Sequence, residues 1–309
     1  MSVTLGVNPL IWTNDDLPML GDETDLATCL AEAAAAGFQG IELGRRFPRH
    51  FAALGPLLEA HGLALASGWY SSRLLERSVD EEIEAFEPHL RLMKACGVRA
   101  VVWCEVSRCT HLDRRIPLSR RPRLDRAAFA LLCRRLDALA AYLDDQGLAL
   151  AYHHHTGTVI EHQSEIEALM ADTRESVGLL LDTGHLALAG GDSLSLIERF
   201  GQRIRHVHCK DVRAPVVAEA RNRDKSFLDA VVDGVFTIPG DGDLDFDATL
   251  AALSHRGYRG WLISEAEQDP AIAPSRPLAE RSFDFLGRAA RRVGLKVTSP
   301  PPRPAPATI

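Results

Sequence analysis

Short apolar or β-branched runs alternate with amphipathic stretches roughly every 30 to 40 residues from one end of the chain to the other. The runs at 3–8, 38–43, 63–69, 98–105, 148–155, 177–182, 204–210 and 258–265 have the length and side-chain types of buried strands. Between them, 25–36, 52–61, 80–96, 125–146, 164–171 and 193–200 carry a helical period. Gly37, Gly62, Gly97 and Gly147 close the first four of these, each followed at once by a new apolar run. A glycine there is the usual C-terminal stop of a helix, so the pattern predicts repeated strand–helix units.

Alternating strands and helices predict a parallel sheet, either open and doubly wound or closed on itself. Eight units of about 31 residues reproduce the ~250 residues of a (β/α)8 TIM barrel. No GxGxxG follows the first strand, which argues against a dinucleotide-binding open sheet. We therefore expect an α/β protein with one barrel domain over 1–297. A proline-rich tail over 298–309, with five prolines in its last ten residues, is expected to be disordered. Two connections, 106–124 and 212–245, are too long for plain loops. Both follow strands and so belong to the C-terminal face, where barrel enzymes place lids and binding loops. The first holds Arg108, Arg114, Arg115, Arg120, Arg121 and Arg123.

Composition narrows the function. With 46% apolar residues in 309, a large core is available and no disulfide staples are needed. The six cysteines form no CxxC pair, and the N-terminal MSVTLGVNP has neither a basic n-region nor a cleavage site. No apolar run approaches membrane-spanning length. These features predict a cytoplasmic protein with reduced thiols and no membrane partner. The net charge of −7 argues against a nucleic-acid partner and leaves a small molecule as the expected one, with room for a homo-oligomer.

Barrel active sites are built at the C-terminal ends of several strands, and these ends are rich in polar groups. They carry Asn8, Glu42, Glu105, the His153–His154–His155 run, Asp182 with His185, then His206, His208 and Lys210, and finally Glu265 and Glu267. Side chains alternate along a strand, so His206, His208 and Lys210 share one face, as do Glu265 and Glu267. A carboxylate on strand six, an imidazole on strand seven and a carboxylate on strand eight can converge on one divalent ion. Mixed oxygen and nitrogen donors suit Mn, Co or Zn. A buried Glu265 inside YRGWLISEAEQ needs a cation, a proton or a metal, because an unpaired carboxylate in an apolar strand costs several kcal/mol. Trp12, Trp69, Trp103 and Trp261 fit either sugar stacking or core packing.

The segments GVNPLIWTNDD, IELG, SGWYS, YHHHTGT, LLLDTGH, RHVHCKDVR, SFLDAVVDGVFTIPGDG and EAEQDPA resemble, from about Val3 to Arg292, the inosose dehydratases of the xylose isomerase-like TIM barrel family. That resemblance implies a metal-dependent hydro-lyase of inositol catabolism, which removes water from a cyclic polyol ketone, 2-keto-myo-inositol (scyllo-inosose), to leave a trihydroxycyclohexanedione. It implies Mn2+ or Co2+, and glutathione as a further requirement. Carried onto matching positions, it makes Asp182, His208 and Glu265 metal ligands. Strand five departs from the family, with His153 where most relatives have Glu, so His153, His155 or Glu161 is the fourth ligand. On this reading His155, Lys210, Glu105 and Glu267 share the acid and base roles. Asn8, Trp12, Glu42, His185 and Arg213 are then substrate contacts. A ketose epimerase or isomerase on the same barrel is the nearest alternative. A repair endonuclease and a non-catalytic sugar-binding module are more distant ones.

Overall fold

The computed structural model describes residues 1–300; most of the expected tail, from 301 on, lies outside them. Eight strands run in chain order round a ring: β1 (Ser2–Val7), β2 (Gly40–Leu43), β3 (Ala64–Ser72), β4 (Ala100–Glu105), β5 (Ala149–His153), β6 (Val177–Asp182), β7 (Ile204–Cys209) and β8 (Gly260–Ser264). Each pairs in parallel with the next, and β8 pairs with β1 from Gly260–Val3 to Ser264–Val7, which closes the ring. The closed barrel is thus chosen over the open sheet. A closed ring has both strand faces covered, which is why β6 reads as the unbroken run VGLLLD and is buried along its whole length.

Helices return the chain outside the ring: α1 (Leu26–Ala35), α2 (Phe51–Ala60), α3 (Val79–Ala95), α4 (Arg126–Asp145), α5 (Gln163–Asp172), α6 (Thr183–Leu188) and α7 (Ser193–Phe200). Their starts are set locally. Asp25 and Asp125 accept the Thr28 and Ala128 amides at 2.7 and 2.8 Å, and Ser78 forms a capping box with Glu81. At the other end of α4, Gly147 has φ 77° and open space where a Cβ would sit, so backbone conformation alone calls for glycine.

The long connection 212–245 contains two helices, α8 (Ala214–Asn222) and α9 (Phe227–Val232), and α10 (Phe246–His255) follows it. The last helix, α11 (Ser275–Arg292), escaped the periodicity reading. Its buried face is made of Ala279, Ser282, Ala289 and Ala290 beside Leu278 and Leu286, opposite a face rich in arginine, so the helix is strongly amphipathic. The two long connections clasp each other over the barrel's C-terminal face. Leu118 N–H donates to Lys225 O at 2.9 Å, Ser119 Oγ to Asp224 at 2.6 Å, and Arg114 pairs with Asp229 at 2.5 Å. Inside the ring Val102, Ala151 and Leu180 form a small apolar cluster of their own, and the polar strand ends gather beyond it.

Candidate metal centre

Four strand ends bring four donors together. Asp182 ends β6 and caps α6: its Oδ1 accepts the His185 amide at 2.8 Å, which turns Oδ2 inward. His153, the last residue of β5, donates its Nδ1–H to the His154 carbonyl at 2.6 Å. Its Nε2 therefore keeps a lone pair, and it lies 3.6 Å from Asp182 Oδ2. His208 of β7 places Nδ1 3.5 Å from that same oxygen and 2.5 Å from Oε2 of Glu265, the residue just past β8.

These groups are between 0 and 3% exposed, and Asp182 Oδ2, His208 Nδ1 and Glu265 Oε2 make no hydrogen bond. Buried polar atoms without partners are costly, and a divalent cation among them would satisfy all three. With His153 Nε2 they form a two-imidazole, two-carboxylate set that fits Mn, Co or Zn. The choice left open on strand five narrows accordingly. His155 faces another group, and Glu161 accepts the Gly157 amide at 2.6 Å and pairs with Arg121.

A second group lies two residues further along the same strands. Lys210, fully buried, reaches Glu267 Oε1 at 2.7 Å, Glu265 Oε1 at 2.9 Å and His185 Nε2 at 2.9 Å, with Nζ 4.7 Å from the centre of the Phe236 ring. Its stem runs over Gly184, where a Cβ would come within 2.6 Å of Lys210 Cγ. The glycine of DTGH is thus needed to admit the lysine. Burial opposes the ammonium charge, but Asp182, Glu265 and Glu267 together hold it above the ordinary lysine range. The His155 ring lies against His185, centres 3.8 Å apart and planes tilted by 44°, and donates Nδ1–H to Thr156 O at 2.8 Å, which leaves Nε2 as an acceptor. Burial, then His111 and His153, hold it well below the usual histidine range.

A cavity opens over both groups. Asn8, Glu42, Trp69, His153, His155, His208, Glu265 and Glu267 line it, together with Asp15, Asp16, Arg49 and His111. The last four went unremarked as site residues. Their only sequence signal was position, Asp15 and Asp16 in the connection that follows the first strand and His111 in the long lid connection. Burial pushes Asp16 up to about 8, with repulsion from Glu267 and Asp15 adding to it and Lys210 opposing.

Other expected site residues are placed elsewhere. Glu105 accepts Leu74 N–H, Ser107 N–H and Ser72 Oγ–H at 2.7, 3.0 and 3.1 Å, and so ties β4 to its neighbouring loops outside the cavity lining. Trp12 is buried with its Nε1 donating to Glu32 at 2.6 Å. Arg213 binds the carbonyls of Gly234 and Phe236 and pairs with Asp241, bracing the 212–245 connection. His185 lies behind His155 and meets Lys210 rather than the cavity. Of the tryptophans, Trp69 faces the cavity and Trp103 is core.

A family model described as xylose isomerase-like TIM barrel matches residues 30–289. The chain is 48% identical to the rhizopine catabolism protein MocC of Rhizobium meliloti, over 97% of this chain and 92% of that one. It is 42% identical to the inosose dehydratase of Geobacillus thermodenitrificans (strain NG80-2), over 88% and 92%. Among solved structures, the IolI protein with a zinc atom superposes with a TM-score of 0.65 at 18% identity, covering 94% of this chain and 98% of that one. D-allulose 3-epimerase from Methylomonas sp. gives 0.65 at 19%, covering 93% and 97%. At such identities these structures speak to the fold.

Proposed function

The chain belongs to the xylose isomerase-like TIM barrel family, and from that premise we propose that it is a metal-dependent hydro-lyase that eliminates water from 2-keto-myo-inositol. The observation that carries the proposal is the convergence of His153, Asp182, His208 and Glu265 around unpartnered buried atoms, next to a second group built on Lys210. Likeness to inosose dehydratases along most of the chain supports elimination over other chemistry on this barrel. The neutral imidazole donors favour Mn2+ or Co2+ over Mg2+. Glutathione enters through the resemblance alone. Five carboxylates in the cavity lining, Asp15, Asp16, Glu42, Glu265 and Glu267, favour a small polyol over a nucleic-acid backbone. No helix among the described residues is long and apolar enough to cross a membrane, and we read the protein as cytoplasmic.

Removing water from a ketopolyol takes a proton from the carbon beside the ketone and expels the hydroxyl one carbon further on. His153, Asp182, His208 and Glu265 would hold a divalent ion, which would supply Lewis acidity towards the ketone oxygen. The residues of the chain do the rest. His155 offers Nε2 as an acceptor inside the cavity, and Glu267, fixed by Lys210, offers a carboxylate beside it. We assign proton removal to one of these two. Lys210 keeps Glu265 and Glu267 in place and supplies positive charge where negative charge grows, and a well-placed acid or base adds about 10² to 10⁴ in rate. Asn8 and Trp69 shape the walls against the ring.

Incubation of purified metal-loaded protein with 2-keto-myo-inositol tests the proposal. A dehydratase develops the absorbance of a conjugated diketone. An epimerase returns the proton and produces an isomeric ketose without that absorbance, which would overturn it.

A further inference from the structure

We infer that Glu42 is a positioning residue for the metal centre, holding the His208 ring so that Nδ1 faces Asp182 and Glu265. The inference rests on the metal-dependent reading above and goes beyond the substrate contact expected of Glu42 from sequence. The carboxylate enters from β2 and is only 3% exposed. It is gripped from both sides of the barrel. Oε2 accepts from Asn8 Nδ2 at 2.7 Å, just past β1, and Oε1 meets His206 Nε2 at 2.8 Å on β7. Oε2 also lies 3.1 Å from His208 Nε2, an ion-pair distance at which Nε2 makes no hydrogen bond in this arrangement and which a proton on Nε2 would draw into one.

His208 thus stands between carboxylates, with Asp182 and Glu265 at Nδ1 and Glu42 at Nε2. An imidazole that gives its Nδ1 lone pair to a cation carries its proton on Nε2, and that is the nitrogen Glu42 faces. A carboxylate in this place selects the tautomer, fixes the ring plane and raises the basicity of the ligating nitrogen. His206 cannot stand in for it, because its own Nε2 is spent on Glu42. Asn8 is likewise committed: Oδ1 accepts the Leu10 amide at 3.0 Å while Nδ2 holds Glu42. The chain Asn8–Glu42–His208 therefore links the first turn after β1 to the donor set on the far side of the mouth.

Positioning and substrate contact differ in what they move. The test measures Mn2+ dissociation constants by chelator competition, without substrate, for wild type, Glu42→Gln and Glu42→Ala, with thermal unfolding as the folding control and Co2+ absorption bands as a second readout. We expect Glu42→Ala to bind Mn2+ about 10- to 100-fold more weakly, with shifted Co2+ bands. Glu42→Gln, whose amide oxygen can still accept the Nε2 proton, should lose less, and it decides the matter if the alanine variant does not fold. Metal affinity and Co2+ bands unchanged in both variants, with only KM raised, would overturn the inference and restore Glu42 as a substrate contact. A wild type that binds no divalent metal would sink the metal-dependent reading itself, which is a distinguishable failure.

Discussion

Two groups of buried imidazoles and carboxylates lie side by side at the barrel mouth, drawn from the same strand ends. His153, Asp182 and His208 form one, with Glu265 against His208; His155, His185, Glu267 and Lys210, two or three residues later on each strand, form the other. They differ in where the positive charge comes from. The second group contains an ammonium that satisfies His185 Nε2, Glu267 and one oxygen of Glu265 at once. In the first, His208 is the charged partner, held against its burial well above the ordinary histidine range by Glu265 and Glu42, and Lys210 reaches in only as far as 3.7 Å from Asp182 Oδ2. Residue types that look interchangeable in a sequence therefore sit in different surroundings: one group keeps buried atoms without hydrogen bonds that fit a divalent ion, and the other is built round an ammonium.

The largest expected effect tests the first group's need. Chelating the metal, or changing Glu265→Gln, should reduce turnover of 2-keto-myo-inositol about a thousandfold or more, since several kcal/mol of oxyanion stabilisation is lost at 1.36 kcal/mol per tenfold. Added Mn2+ should restore the chelated wild type but not the variant. Full activity in either chelated protein or variant would erase the distinction between the groups.

Next in size is Lys210→Met. It should lower kcat by about 10² to 10⁴ while the metal of the first group stays bound. The same variant sharpens the comparison from the other side. His155, His185 and Glu267 have ligand atoms within 4.8 Å of one another, and the ammonium stands among them. Without it they should accept a second equivalent of Zn2+, read as metal stoichiometry after dialysis. Stoichiometry unchanged from wild type would mean that the lysine is not what distinguishes the groups.

A smaller effect concerns Asp16, which faces the second group. Its folded pKa is raised from 3.8 to about 8. The folded state therefore holds a proton that the unfolded chain has released, and stability falls as pH rises from about 4 through 8. Asp16→Asn should remove that slope, gaining about 1 kcal/mol relative to wild type at pH 8.5 and little at pH 4, by urea unfolding at the two values. The smallest change is expected from Arg114→Ala. Its exposed pair with Asp229 belongs to the clasp above both groups, so unfolding should be eased by no more than about 1 kcal/mol, with metal affinity unchanged.

Much of this architecture is legible in the chain. The eight strands, the first four helices with their closing glycines, and the shared face of His206, His208 and Lys210 follow from periods of two and 3.6 residues, which are local properties. α11 was missed although its amphipathic period is strong. Glu105, Trp12 and Arg213 sit at strand ends or beside motifs, as a cavity residue would, yet their side chains turn to backbone amides, to Glu32 and to loop carbonyls. Asp16 and His111 gave no periodic signal because loops have no period.

The sequence by itself determined the barrel, its polar rim and the residue types available for a divalent ion, because strand alternation sorts side chains over a few residues. Only the tertiary structure decided which of them meet. Ring closure brings β2 opposite β7 and sets Glu42 against His206 and His208, residues 164 and 166 positions away. It places the His153 rather than the His155 ring beside Asp182, and it threads Lys210 past Gly184 into the next group. Whether a buried carboxylate awaits a metal or already has its cation is a matter of distances of a few ångströms between segments far apart in the chain, and no local pattern encodes those.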